Sequence, residues 1–491
     1  MIRVRNTLIA LAVIGLLSGL MAVDRRRSNR EAVSEFGRYR GYTRQAYDGS
    51  RRISHYLTLA NGTRLAYDLY LPTKDGILAD TPLPVLFKYT PYGRTWTIFD
   101  KDGTNNLTRL TPLPWYLHPL LRLRARFAKD GNLLDHLWRT KWLSAMVKSG
   151  YAVVVVERPG TGASFGRLDF TPHTSARETD EILNWIAAQN WSDGKIGMFG
   201  DSIQAQIQLQ AASTANPHLK AILPATTWMD SYGALMFPGG VRNTAFIEFY
   251  VRANRAFDFL STPVDEDRDG ALLAEARAER RGAGLADYVE NTPTDAFRDD
   301  VTAQGRNYWE EYMSLYPLMA RINRSGVPVY LINGWYDICT RDDFLIYANL
   351  TTPKRLLVRP VDHSQIEAPG RDIDYGAEAH RWFDYWLKGL ENGVMDEHPV
   401  HYFLQGAGVS DAWQSADGWP PKNVEGVRYY FGPGRNGGTA SVNDGTLVPS
   451  LPAVSDGLDA YTVDYRTTSG SRPRWSAPAS PHRYPNMRVN D

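Results

Sequence analysis

The chain has 491 residues, enough for two or three domains and a large core. Hydrophobic residues at 43% and charged residues at 22% exclude a disordered or low-complexity chain. Lys+Arg of 55 against Asp+Glu of 54 leaves a net charge of +1 and no footprint for nucleic acid, and one cysteine excludes an intrachain disulfide and a cysteine-built metal site.

Arg3 and Arg5 precede an apolar run over residues 8–23, which Asp24, Arg25, Arg26 and Arg27 close. The run is long for a signal-peptide core and short for a comfortable membrane span. It predicts an export signal or an N-terminal membrane anchor, with residues 1–43 as that segment and its linker. The catalytic part would then be periplasmic, secreted or held at the outer side of a membrane. A cytoplasmic protein that buries the run in its core is the competing reading.

Alternating apolar residues over 53–59 and 65–71 flank Asn61-Gly62 and predict a hairpin with a two-residue turn. Residues 84–89 read as a strand ending at the loop Thr90-Pro91-Tyr92-Gly93. The Leu-, Trp- and Arg-rich stretch 100–148 predicts short helices, most periodic over 133–147. Residues 151–156 (YAVVVV) are a β-branched run of the kind buried on both faces of a parallel sheet. A Gly-rich turn, a helix over 178–189, a strand over 195–199, a helix over 204–213 and a strand over 219–225 follow. This alternation predicts an α/β fold with a mostly parallel sheet.

Strand signals fade over 230–318, which reads as a helical insertion. They return at 327–332 and 355–358, before a strong helix over 372–387 with Trp382, Phe383 and Trp386 as its apolar stripe. Beyond Gly389, short aromatic strands such as 401–404 and 427–431 alternate with Gly, Asp, Asn and Pro turns and predict an all-β module. The module ends in polar sequence, as an incomplete domain would.

Ser202 stands directly after a short strand and directly before a helix, within Gly200-Asp201-Ser202-Ile203. A nucleophile elbow needs that context, because the sharp turn lifts the hydroxyl above the sheet and turns the next backbone N–H toward a developing oxyanion. The usual glycine two residues later is replaced by Gln204, so a helix N-cap serine is the competing reading. A serine nucleophile also needs a base and an orienting carboxylate. Asp337 and His363 follow two later strands, in the order expected of an α/β-hydrolase. An Asx-turn and an exposed loop histidine are their bland alternatives.

Asp362 is a rival acid, but neighbours in an extended loop rarely aim side chains at each other, so Asp337 is preferred. Asp342 and Asp343 suit a helix start. Asp201 is expected to set substrate charge preference or to cap a helix. Tyr92 is a candidate oxyanion donor beside the Ile203 N–H, with a packing role as the alternative. The Gly160-x-Gly162 loop completes neither a dinucleotide fingerprint nor a Walker motif and reads as a tight turn. The ten histidines have no metal-ligand spacing, so neither a metal nor a cofactor is expected.

Several phrases fall in an order that resembles the X-prolyl dipeptidyl-peptidase-like serine hydrolases, a family that includes cocaine esterase and the α-amino-acid ester hydrolases. They are residues 178–200 (ETDEILNWIAAQNWSDGKIGMFG), Gly334-Trp335-Tyr336-Asp337, residues 381–389 (RWFDYWLKG) and the stretch from Trp413 to Trp419-Pro420-Pro421. The similarity runs from about residue 53 to the last residue. It implies an α/β-hydrolase core over 44–229 and 319–395, a helical cap over 230–318 and a partial β-jellyroll over 396–491. It also implies Ser202 as nucleophile, Asp337 as acid, His363 as base, and Tyr92 and Ile203 as oxyanion donors. The family elbow, Gly-x-Ser-Tyr-x-Gly, removes the objection raised by Gln204. Ile203 and Ala205 depart from it, as do the surroundings of His363 and the loop Glu157-Arg158-Pro159-Gly160.

The expected reaction is hydrolysis of a small-molecule ester, or of an X-Pro-type amide, through an acyl-enzyme. An X-prolyl dipeptidyl aminopeptidase, an inactive hydrolase-fold binding protein and a carbohydrate-binding protein are the alternatives.

Overall fold

The computed structural model describes residues 32–97, 133–169, 171–284, 287, 297–300, 314–367, 373–407, 412–422, 424–435, 437 and 445–453. The apolar run 8–23, most of the 100–148 stretch and the polar C-terminal end lie outside these residues. Among the described residues no helix is long and apolar enough to cross a membrane. The expected membrane association is corrected accordingly: no membrane-spanning helix is found among the described residues, and the apolar run 8–23 lies outside them.

Ten strands of the central sheet follow in chain order. They are β1 (Gly49–Thr58), β2 (Arg64–Lys74), β3 (Leu83–Thr90), β4 (Ala152–Glu157), β5 (Ser192–Asp201), β6 (Leu219–Ala225), β7 (Val329–Gly334), β8 (Lys354–Arg359), β9 (Val400–Phe403) and β10 (Trp413–Ala416). Their spatial order is β1-β2-β4-β3-β5-β6-β7-β8-β9-β10, and the short strand Ile77–Leu78 hooks onto β2 to make eleven. From β4 through β9 every pairing is parallel, while β1-β2, β2-β4 and β9-β10 are antiparallel.

The parallel strands are apolar on both faces because helices cover both. Val85, Phe87, Val154, Met198 and Leu331 point to one side, where they pack with α2 (Pro172–Ala187) and α3 (Ile203–Ala212). Leu86, Val153, Val155, Phe199 and Tyr330 point to the other, against Leu143 and Met146 of a short helix, Lys141–Lys148, labelled α1, and against the later Trp382 and Phe383. This period-two alternation makes a three-layer α/β/α core. The inserted stretch contributes α4 (Thr244–Leu260) and α5 (Ala271–Glu279), and the core continues with α6 (Met319–Ser325), α7 (Thr340–Asn349) and α8 (Tyr375–Lys388). Helix α8 is sharply bounded. The Asp374 carboxylate accepts from the amides of Gly376 and Ala377, and Gly389 closes the helix in the left-handed region.

Two local expectations change. The hairpin connection runs through Ala60, Asn61 and Gly62, closed by Leu59 N–H to Thr63 O at 2.9 Å, so the turn is longer than an Asn-Gly pair. Strands β9 and β10, read from sequence as opening a separate module, extend the central sheet instead, because β9 completes the ladder of β8. Beyond them the described residues hold one further antiparallel pair, Tyr430–Gly432 with Thr446–Val448.

The winding reverses at β3, which lies between β4 and β5. Open α/β sheets bind ligands at such a switch point, beyond the carboxyl ends of the strands.

Candidate active site

Ser202 sits at that point, between β5 and α3, with φ 61° and ψ −127°. A non-glycine residue pays of order 1–3 kcal/mol for such a conformation, so the surroundings must impose it. They do so from both sides. Ser202 N–H donates to Ala225 O at 2.9 Å, and Ser202 O accepts from the amides of Ala205 and Gln206. Gly200 has φ 137°, and a side chain there would meet the Gln204 Cβ at 2.8 Å. Gln204 itself is accommodated because its side-chain amide donates to Thr90 Oγ1 at 2.8 Å. Its Oε1, by contrast, is buried without a hydrogen-bond partner among the described residues, so the side chain is only half satisfied. The N-cap alternative for Ser202 fails, since its side chain makes no cap hydrogen bond.

Asp337 and His363 lie beyond the ends of β7 and β8. Their loops are stitched together by Trp335 N–H to Arg359 O at 2.9 Å and Tyr336 N–H to Val361 O at 3.2 Å. Gly334 is required there, because a Cβ would stand 2.1 Å from Val361 O. His363 Nδ1 meets Asp337 Oδ2 at 2.6 Å, and Asp337 Oδ1 accepts from the Cys339 amide at 2.6 Å. The Asp337 carboxylate is fully buried. Burial by itself would lower the His363 pKa, but the charge and hydrogen bond of Asp337 outweigh it, with help from Asp201 and Asp362, and the imidazole is pushed above its ordinary value. Asp362 is occupied elsewhere, accepting from the Ser364 amide and hydroxyl at 3.0 and 2.7 Å. Asp342 does more than favour a helix start. It is buried and accepts from the amides of Met229 and Asp230, fixing the chain beyond β6.

Tyr92 follows β3, and its amide donates to Thr90 Oγ1 at 3.0 Å. The loop is anchored by buried Arg94, whose amide donates to Glu157 at 2.9 Å and whose guanidinium reaches Asp68 at 2.6 Å. Glu157 takes part only because Gly162 makes room, since a Cβ there would stand 2.2 Å from its carboxylate. The Gly160-x-Gly162 loop is therefore a packing device for this anchor. Burial raises the Tyr92 pKa well above its ordinary value, so the phenol keeps its proton. Ile203 opens α3, where amides lack intrahelical acceptors.

Ser202, His363 and Tyr92 line one cavity of about 360 Å³. One wall is aromatic, with Trp96, Phe246, Phe249, Tyr250 and Phe257. The floor is charged. Lys88 Nζ lies 3.8 Å from Asp201 Oδ1, and Arg139 and Glu367 stand beside them. Burial raises the Glu367 carboxyl pKa despite Lys88, and its Oε1 is buried without a hydrogen-bond partner among the described residues. Burial also lowers the Arg139 guanidinium to about 10. Of the floor the sequence pointed only to Asp201, and the wall was missed. The wall was detectable, because Phe246, Phe249, Tyr250 and Phe257 recur at helical spacing on α4.

A family model described as X-Pro dipeptidyl-peptidase (S15 family) matches residues 61–365. The chain belongs to that family. Two mycobacterial relatives, described as "putative serine esterase" in Mycobacterium bovis and Mycobacterium tuberculosis, are each 29% identical over 87% of this chain and 69% of their own length. The cocaine esterase of a Rhodococcus species is 26% identical over 83% of this chain and 66% of its own. A solved CocE/NonD family hydrolase from Staphylococcus aureus superposes with a TM-score of 0.53 at 20% identity, covering 78% of this chain and 58% of that one. An archaeal aminopeptidase from a marine-sediment Thaumarchaeota superposes with a TM-score of 0.57 at 16% identity, covering 87% of this chain and 67% of that one. These structures share the α/β fold with a central mixed sheet and helical insertions. The S15 chain is accordingly classed with the serine esterases and acyl hydrolases, whose reaction is ester or amide cleavage through an acyl-enzyme.

Proposed function

We propose that this chain hydrolyses a small ester through an acyl-enzyme with Ser202 as nucleophile, His363 as base and Asp337 as orienting acid. The observation that carries the reading is the 2.6 Å contact between His363 Nδ1 and buried Asp337, at the same cavity as the strained Ser202. With Nδ1 held by the carboxylate, Nε2 is the nitrogen left to take a proton.

Ser202 Oγ attacks the carbonyl carbon and its proton passes to His363 Nε2. The oxyanion is held by the Tyr92 O–H and the Ile203 N–H. Collapse breaks the bond to the leaving group, which takes the proton from Nε2. Water then attacks the acyl-serine, giving its proton to the same nitrogen, and the acid departs as Ser202 recovers its hydroxyl.

The aromatic wall favours a compact apolar portion of the substrate, and the floor of Lys88, Asp201 and Glu367 favours a polar one. Residues 230–318 act in this reading as a cap over the acyl group. The strands after β10 belong to a jellyroll-type module. The family's own description keeps X-Pro amides as the second substrate class. A rate profile across p-nitrophenyl esters of increasing acyl length and across X-Pro p-nitroanilides tests the choice. Turnover of the shorter esters well above any X-Pro amide is expected, and the reverse order would move the assignment to a dipeptidyl peptidase.

A further inference from the structure

Tyr250 has no part in the reaction as written, yet its phenol is a direct hydrogen-bond partner of the oxyanion donor. Tyr92 Oη and Tyr250 Oη are 3.0 Å apart, and either can donate. The two rings meet edge to face at 6.3 Å and 82°. Phe246 stacks on Tyr250 at 5.6 Å, and Phe257 flanks Tyr92 at 5.8 Å, so the pair of hydroxyls lies among aromatic rings. Hydrogen bonds in such surroundings polarise one another more strongly than in water. Ser202, Tyr92 and Tyr250 all line the same cavity.

A phenol has one proton and can accept as well as donate. If Tyr92 gave its proton to Tyr250, nothing on that side chain would be left for the oxyanion. If Tyr250 donates, the Tyr92 proton is directed at the oxyanion and is made more acidic by the bond its oxygen accepts. The anion that forms on the substrate carbonyl selects the second arrangement. Asn254, one turn further along α4, donates its side-chain amide to the Tyr250 backbone carbonyl at 2.7 Å and so braces the turn that carries the phenol.

We infer that Tyr250, carried by the inserted helix α4, is a positioning residue that donates to Tyr92 Oη and holds the Tyr92 proton on the oxyanion. The inference rests on the proposed hydrolase reading and extends it, because the quality of the oxyanion hole then depends on where the insertion sits. The competing account is that two buried hydroxyls merely satisfy each other.

Tyr250→Phe keeps the ring and its packing and removes only the hydroxyl. The test is a four-enzyme cycle of wild type, Tyr250→Phe, Tyr92→Phe and the double variant, with p-nitrophenyl butyrate as substrate and thermal melts as a folding control. Tyr92→Phe is expected to lose about 10²–10³ in kcat, as removal of an oxyanion donor does. Tyr250→Phe is expected to lose about tenfold in kcat with KM nearly unchanged, and the double variant to match Tyr92→Phe, because Tyr250 acts only through Tyr92. A Tyr250→Phe kcat within about twofold of wild type, or losses that multiply in the double variant, would overturn the positioning role while leaving the hydrolase reading intact. A folded wild type that neither turns over esters nor reacts with a fluorophosphonate would overturn both.

Discussion

Replacing Asp337 by Asn tests the relay at its most constrained member. The side chain is fully buried and both carboxylate oxygens are engaged, Oδ1 by the Cys339 amide and Oδ2 by His363 Nδ1, each at 2.6 Å. Asparagine is nearly isosteric, and its single carbonyl oxygen keeps the bond to the Cys339 amide. Its NH₂ group then faces His363 and donates to Nδ1. The imidazole must respond by carrying its proton on Nε2, the nitrogen that has to accept the proton of Ser202. Trapping that tautomer costs about 10⁴ in kcat, equivalent to about 5 kcal/mol of transition-state stabilisation. The fold should survive, because no packing volume changes. The assay is the pre-steady-state release of p-nitrophenolate together with the rate of fluorophosphonate labelling, against a melting curve. An Asp337→Asn enzyme that keeps more than about a tenth of wild-type kcat would refute the reasoning.

Two further outcomes follow from the same geometry. Asp201 helps raise the His363 pKa, and His363 must be neutral to accept a proton, so activity falls as pH drops through that raised pKa. Asp201→Asn should lower this pKa and carry activity to lower pH, which a kcat/KM profile would register as a downward shift of the acid limb; an unchanged or upward shift contradicts it. Gly334→Ala sets a methyl 2.1 Å from Val361 O, a backbone atom that cannot swing aside. It should cost about 1–3 kcal/mol of stability and lower kcat by parting the Asp337 and His363 loops. Unchanged melting and turnover would show that the two loops move freely.

Much of this architecture is legible in the sequence because burial on both faces of a parallel sheet leaves few residue types to choose from. The run 151–156 and the strand 219–225 announce themselves by composition, and β6 spans Leu219–Ala225 as expected. Helix α8 is legible for the opposite reason, since its apolar stripe is periodic and its caps are conventional. The hairpin turn misleads because Asn61 spends its side chain on the Thr63 amide at 3.0 Å rather than on a two-residue turn. Strands β9 and β10 mislead because a sheet edge and a separate β module have the same composition, and only the pairing of Leu356 with Val400 distinguishes them. At the site, Ser202, Asp337 and His363 are readable from their places after strands. The charged floor is not, because Lys88, Arg139 and Glu367 come from distant stretches that meet only in the fold. Tyr250 was visible as part of an apolar stripe, but its meeting with Tyr92 is tertiary.

The central claim is that Ser202 is an activated nucleophile, and a fluorophosphonate probe tests it most directly. Intact-mass and peptide mass spectrometry of the treated full chain should show one adduct on the peptide that contains Ser202, absent in Ser202→Ala and strongly slowed in His363→Ala. A well-folded wild type that stays unmodified, or that takes the label on another residue, would contradict the account.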